Sequence, residues 1–258
     1  MSKLSTDPYK GVQDFYPEDM RIQNYIFSVW REVSERFGYE EYSASPLEPT
    51  EIYTEKSGDE IVNQQTFTFT DRGGRSVTLR PEMTPTLARM IAAKRKSLKF
   101  PLRWYSIPNL FRYERPQKGR RREHYQLNCD LIGVAGIEGD KEMVSLAYSI
   151  MKEFGAKDED FEIRINNADV ETFKDIGPNF VYDPELARGQ AYYTGMVFEI
   201  FDTNKENPRA ICGGGRYDGL IESLFGGEQS GVLPILGFGW GDITMRDFLE
   251  THKLGPYA

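Results

Sequence analysis

The sequence predicts an α+β fold, an antiparallel β-sheet flanked by helices. Three observations carry that prediction. Strands outnumber helices along the chain, several strands join through tight turns, and the helical segments are amphipathic rather than uniformly apolar. The 258 residues, 39% of them hydrophobic, suffice for one large domain or two small ones.

The elements follow in order. Residues 18–37 repeat Ile22, Tyr25, Ile26, Val29, Trp30, Val33 and Phe37 at helical spacing. The stretch "QTFTFTDRGGRSVTLRPE" (65–82) alternates with period two on both sides of Gly73-Gly74, which predicts a β-hairpin. "MTPTLARMIAAKRKS" (83–97) reads as a helix with Pro85 in its first turn. "PLRWYSIPNLFRYE" (101–114) is extended and interrupted by Pro108, and "EHYQLNCDLIG" (123–133) is another strand. A helix is expected at 139–154, with Met143, Val144, Leu146, Ala147, Ile150 and Met151 facing inward. "FEIRIN" (161–166) and "GMVFEIFD" (195–202) are strands. "AICGGGRYDGLIESLFGG" (210–227) reads as strand, Gly-rich turn and helix, and "PILGFGWGDITMRDFLETH" (234–252) as a strand running into a terminal helix. The turn-rich stretch at 175–189 is the one candidate junction.

Composition narrows the function. A net charge of −8 argues against a general nucleic-acid coat or a membrane-surface binder. Two distant cysteines, Cys129 and Cys212, and two histidines, His124 and His252, offer neither a disulfide framework nor a zinc or multi-histidine site. No apolar run approaches the length of a membrane span, and "MSKLSTDPYK" has no signal-peptide core, so a soluble cytoplasmic protein is expected.

Against that acidic background, Arg112, Arg115, Lys118, Arg120, Arg121 and Arg122 crowd into one loop between two strands. After the loop, alternation sets Tyr125, Leu127, Cys129 and Leu131 on one face and His124, Gln126, Asn128 and Asp130 on the other. Before it, Arg112 and Glu114 point together. Arginines bind phosphate through bidentate, charge-assisted contacts, so a polar-faced hairpin with a cationic tip suits a nucleoside polyphosphate. A solvated basic turn is the alternative on pattern alone.

The stretch "FRYERPQKGRRREHYQLNCDLIG" (111–133) resembles motif 2 of class II aminoacyl-tRNA synthetases, specifically the histidyl-tRNA synthetase catalytic domain. "LRPEMTPTLAR" (79–89) is similar to that family's amino-acid-binding segment, "RGQAYYTGMVFE" (188–199) and "GGGRYDGL" (213–220) to its two histidine-specific signatures, and "GVQDFYPEDM" (11–20) to its motif 1 entry. "GFGWGDITM" (237–245) sits where motif 3 belongs.

The resemblance implies a class II catalytic fold. It implies formation of histidyl-adenylate and pyrophosphate from L-histidine and ATP, with Mg2+ accompanying ATP, then transfer to the acceptor end of tRNA(His). It also implies a homodimer, and no membrane partner. By similarity, Glu82, Thr84 and Gln126 would hold the α-ammonium of histidine. Arg112 would grip the α-phosphate, Glu114 would read the adenine amine, and Arg120 would contact the outer phosphates. Arg188 would face Arg112 across the reacting phosphate and touch histidine. Tyr192, Tyr193 and Asp130 would surround the imidazole, with Asp130 replacing the family's usual glutamate, and Gly213, Gly214 and Gly215 would admit the ligand to the backbone. Arg115, Arg121 and Arg122 are read as solvated loop charge or tRNA contacts.

Three departures qualify the resemblance. Thr244 stands where motif 3 carries an arginine, and Arg246 lies on the wrong side of the helix to replace it. The segment 177–187 is short where the family carries a helical insertion, and no anticodon-binding domain follows. The expected organisation is one catalytic domain over 1–258. The alternative is a non-catalytic paralogue, such as an ATP phosphoribosyltransferase regulatory subunit or a histidine- or tRNA-sensing module.

Overall fold

The structure is a computed structural model that describes residues 4–54, 65–187, 192–226 and 231–258. It opens with helix α1 (Pro17–Arg36), where Pro17 and the acidic Glu18 and Asp19 suit the helix N-terminus and Gly38, at φ +81, ends it. Short strands β1 (Glu40–Glu41) and β2 (Leu47–Pro49) and helix α2 (Glu51–Thr54) follow. Strands β3 (Phe67–Thr70) and β4 (Ser76–Leu79) form the expected hairpin. Asp71 closes its turn by accepting from the backbone N–H groups of Gly73 and Arg75. With β2 they make a three-stranded sheet in the order β2-β4-β3.

Helix α3 (Thr84–Lys94) leads to β5 (Leu102–Ser106) and β6 (Asn109–Phe111), which Pro108 separates as expected. The long strand β7 (Glu123–Ile132) pairs with both. Then come α4 (Ile137–Glu153), β8 (Phe161–Asn166), β9 (Phe180–Tyr182), β10 (Val197–Asp202), β11 (Cys212–Arg216), α5 (Leu220–Phe225), β12 (Ile235–Gly241) and α6 (Asp242–His252).

The main sheet runs β1-β5-β7-β12-β11-β10-β8-β9. Antiparallel pairing dominates, but β1–β5 and β8–β9 at the two ends are parallel, so the sheet is mixed. Both parallel partners are reached through long connections, the condition that parallel pairing requires. Helices α1, α4 and α6 cover one face. Their Ile26, Trp30, Met143, Leu146, Ile150 and Phe248 pack on Leu127, Cys129, Leu131, Phe238 and Trp240. On the other face, α3 and α5 pack Leu87, Ile91, Leu220 and Ile221 with Ile132 and Ile235. They cover one end of that face, and the middle of β7, β12 and β11 lies open as a cleft.

The aromatic residues of α1 and its end pack within the chain: Trp30 is fully buried, Tyr25 packs edge-on to Phe154, and Phe37 lies against the same core. One expectation changes here, for the glycine triplet is not a turn. Gly213, Gly214 and Gly215 lie inside β11, and the turn follows at Tyr217–Gly219.

Candidate active site

Strand register builds the floor of the cleft. Asp130, Gly237 and Gly215 stand side by side across three strands, and Asn128, Gly239 and Gly213 form the next row. Directly paired residues share a face. The sequence "GFGWG" therefore sends Phe238 and Trp240 into the helical core and leaves bare backbone beneath the cleft. A Cβ on Gly237 would lie 2.5 Å from Asp130 Oδ1 and 2.8 Å from the Tyr217 hydroxyl, and one on Gly239 would lie 2.8 Å from Gln126 Cδ. Glycine at these positions is what leaves room for the polar side chains of β7.

Two adjoining cavities occupy the cleft. The smaller, about 100 Å³, is lined by Glu82, Thr84, Gln126, Asn128, Asp130, Tyr192, Tyr193 and Tyr217 among others. Glu82, buried just before α3, accepts a hydrogen bond from the Tyr192 hydroxyl at 3.2 Å. Tyr217 donates to Asp130 Oδ1 and packs edge-on against Tyr192 and Tyr193. Burial pushes the Asp130 carboxyl up to about 7, against the opposing pull of the Tyr217 bond. Burial and the neighbouring Asp130 hold the Tyr217 phenol well above its usual range. Near neutral pH, Asp130 is thus divided between its two protonation forms.

The larger cavity, about 460 Å³, shares Arg112, Gln126, Gly213 and Gly239 with the smaller one. Arg112 stands at the junction, its Nε donating to the Pro81 carbonyl at 2.8 Å. Glu114 is held by Arg120 in an ion pair of 2.8 Å. The His124 imidazole is pushed down to about 3 by burial and by the Arg112 guanidinium, so it presents a neutral ring to the cavity. Asp242 is pushed up to about 6 by burial, and accepts from Gln23 Nε2 and the Tyr125 backbone N–H. The cavity walls carry Arg112, Arg120, Arg121 and Arg209.

The structure thus brings together Glu82, Thr84, Gln126, Asp130, Tyr192 and Tyr193 around one cavity, and Arg112, Glu114 and Arg120 around the other. Arg188 lies outside the described residues. Gly214 does not line either cavity. It is turned to the core face, where a Cβ would meet Phe238 Cβ at 2.6 Å, and its neighbour Gly213 faces the cleft instead. Arg115 is exposed as expected, and Arg121 reaches the larger cavity. Arg122 is neither solvated nor free for RNA. It is buried, its guanidinium lies 3.9 Å from the Tyr113 ring centroid, and it donates to the Glu114 carbonyl and the Tyr9 hydroxyl.

Thr244 lines the larger cavity, whereas Arg246 is engaged elsewhere, by Asp19 at 2.7 Å and the Tyr257 hydroxyl at 3.0 Å. Tyr217, Glu199 and Arg209 were not anticipated as site residues. Parity could have found Tyr217, two residues beyond Gly215 on the same face. Arg209 carries no local signal. Among the described residues, no cluster of three or more His, Cys, Asp or Glu side chains is arranged to hold a metal, and no helix is long and apolar enough to cross a membrane.

Comparison with known proteins agrees with this geometry. The family model described as Histidyl-tRNA synthetase matches residues 11–173 and 167–238. A histidine–tRNA ligase of Leptospira biflexa serovar Patoc is 39% identical across 98% of this chain and 76% of its own length. The apo histidyl-tRNA synthetase of S. aureus superposes with a TM-score of 0.80 at 28% identity, covering 99% of this chain and 72% of that one. A Bacillus halodurans structure described as an ATP phosphoribosyltransferase regulatory subunit/histidyl-tRNA synthetase superposes at 0.82, covering 96% of this chain and 84% of that one. Its 20% identity speaks to the fold alone.

Proposed function

The chain belongs to the histidyl-tRNA synthetase family, and from that premise we propose that it condenses histidine with ATP to histidyl-adenylate, releasing pyrophosphate. In its full context it would pass the histidyl group to the 3′ end of tRNA(His). One observation carries the reading: a small pocket lined by carboxylates and tyrosines opens into a larger arginine-walled cavity, and Arg112 stands where they meet.

The chemistry follows from that junction. A carboxylate oxygen of histidine attacks the α-phosphorus, the bond to the bridging oxygen breaks, and pyrophosphate leaves. No group on the protein forms a covalent bond, so rate comes from alignment and from charge placed where it develops. Glu82, Thr84 and Gln126 take the α-ammonium of histidine, and Asp130, Tyr192 and Tyr193 surround its imidazole. Arg112, oriented by the Pro81 carbonyl, holds the α-phosphate, with Arg188 as its counterpart. Glu114 takes the adenine amine once Arg120 leaves it for the phosphates. Mg2+ would arrive with ATP and neutralise phosphate charge.

The proposed organisation is one catalytic domain over 1–258, shortened at 177–187. The first of the relatives above aligns over 337 positions, more than the 258 residues of this chain, so it holds residues within the matched span that have no counterpart here. By family, a cytoplasmic homodimer is proposed.

A non-catalytic, ligand-sensing paralogue is the second reading, and Thr244 in the larger cavity is what favours it. Histidine-dependent ATP–pyrophosphate exchange separates the two. The adenylate reading expects exchange above background that collapses in Arg112→Ala and Arg188→Ala. Histidine binding by calorimetry with no exchange would hand the case to the sensor.

A further inference from the structure

We infer that Arg209, on the loop between β10 and β11, grips the outer phosphates of the bound nucleoside triphosphate, at the wall where Thr244 brings no charge. The inference rests on the nucleotide reading of the larger cavity. Arg209 lines that cavity but not the smaller one, which separates it from the junction held by Arg112.

Three observations converge on it. First, its guanidinium is anchored yet unused. Nε donates to the Lys118 carbonyl at 3.2 Å, while both Nη groups have no hydrogen-bond partner among the described residues. Arg120 in the same cavity is paired with Glu114, but no carboxylate lies within ion-pair distance of Arg209 among those residues. A half-buried guanidinium with an open fork and no counter-charge is suited to a phosphate oxygen pair.

Second, Arg209 and Thr244 flank one point. A Cβ on Gly119 would lie 2.8 Å from Arg209 Cδ and 3.7 Å from Thr244 Cγ2. The Arg209 stem therefore runs beside the threonine, across a stretch of loop backbone that only glycine leaves bare.

Third, the cationic loop and the β10–β11 loop hold each other. Lys118 Nζ donates to the Glu206 carbonyl at 3.1 Å while Arg209 reaches back to Lys118. The clasp sets the Arg209 guanidinium against the same loop that carries Arg120 and Arg121.

Equilibrium binding of Mg–ATP and of adenosine to the 258-residue chain tests this, with histidine affinity as the control for folding. Arg209→Ala should weaken ATP about 10- to 100-fold, the range for losing a charge-assisted contact, and leave adenosine and histidine within about twofold. Arg209→Lys should recover part of the loss, because an ammonium lacks the fork. Adding Thr244→Arg to Arg209→Ala should restore ATP affinity. Equal weakening of ATP and adenosine, an unchanged ATP affinity, or no restoration in the double variant would each overturn the proposal. A wild type that binds ATP but supports no histidine-dependent exchange would defeat the adenylate reading alone, since the Arg209 comparison needs only binding.

Discussion

Tyr217→Phe removes one hydroxyl, and the structure states what that should do. The hydroxyl donates to Asp130 Oδ1, a buried carboxylate whose pKa stands at about 7. Burial raises that value and the Tyr217 bond lowers it, so losing the bond must raise it further. A hydrogen bond to a charged group contributes about 1.5–3 kcal/mol, which moves Asp130 to about 8 or 9. At pH 7.5 the ionised fraction would fall from about three-quarters to between about one-fifth and one-fiftieth. If the carboxylate is the form that accepts the imidazole N–H of histidine, KM for histidine should rise about 4- to 40-fold at pH 7.5. The defect should fade toward pH 9.5, where Asp130 ionises in both proteins. ATP–pyrophosphate exchange measured from pH 6.5 to 9.5 reads this directly. A KM penalty of constant size across that range would refute the protonation argument and leave Tyr217 as packing alone.

Three further outcomes follow from the same geometry. Gly239→Ala should drive the new methyl against the Gln126 amide, 2.8 Å away, raising KM for histidine fivefold or more by the about 1–3 kcal/mol typical of overpacking; an unchanged KM for histidine would contradict this. Arg216→Ala should lower unfolding free energy by about 3–5 kcal/mol in guanidinium titrations, because Asp140, paired with Arg216 at 2.6 Å, would be left buried without that partner and the carbonyls of Val134 and Gly136 without their donor. A loss under about 1 kcal/mol would show the pair to be dispensable.

The last concerns pH and stability. Asp130 holds its proton more tightly in the folded chain, at about 7, than in the unfolded chain, where its ordinary value is 3.8. Its contribution is complete below about 4 and is lost as pH rises to about 7, by up to roughly 4 kcal/mol. Asp130→Asn cannot ionise, so its stability relative to wild type should climb across that window and then level off. Urea denaturation at pH 4, 5.5, 7 and 8 checks the trend, and a flat difference would rule it out.

Much of the site was legible because motif 2 is local. Alternation along β7 separated Leu127, Cys129 and Leu131 from Gln126, Asn128 and Asp130, and the structure keeps that division. Misreadings arose where a residue's surroundings come from distant chain. Arg122 looked like one more loop charge, yet Tyr9 and Tyr113 close around it. Gly213, Gly214 and Gly215 looked like a turn, yet pairing with β10 and β12 makes them strand.

What the sequence by itself determined is what depends on neighbours in the chain: helix and strand periods, the hairpin, the acidic balance with its one cationic loop, and the family signatures. The tertiary structure decided which of those residues share a space. Strand register joined Asp130, Gly237 and Gly215 into one floor, and the turn after β11 brought Tyr217 onto Asp130. Loop packing set Arg209 beside Thr244. The physical reason is the range of the interactions: backbone sterics and period act over a few residues, whereas burial, charge pairing and register act between segments that only the folded chain makes neighbours.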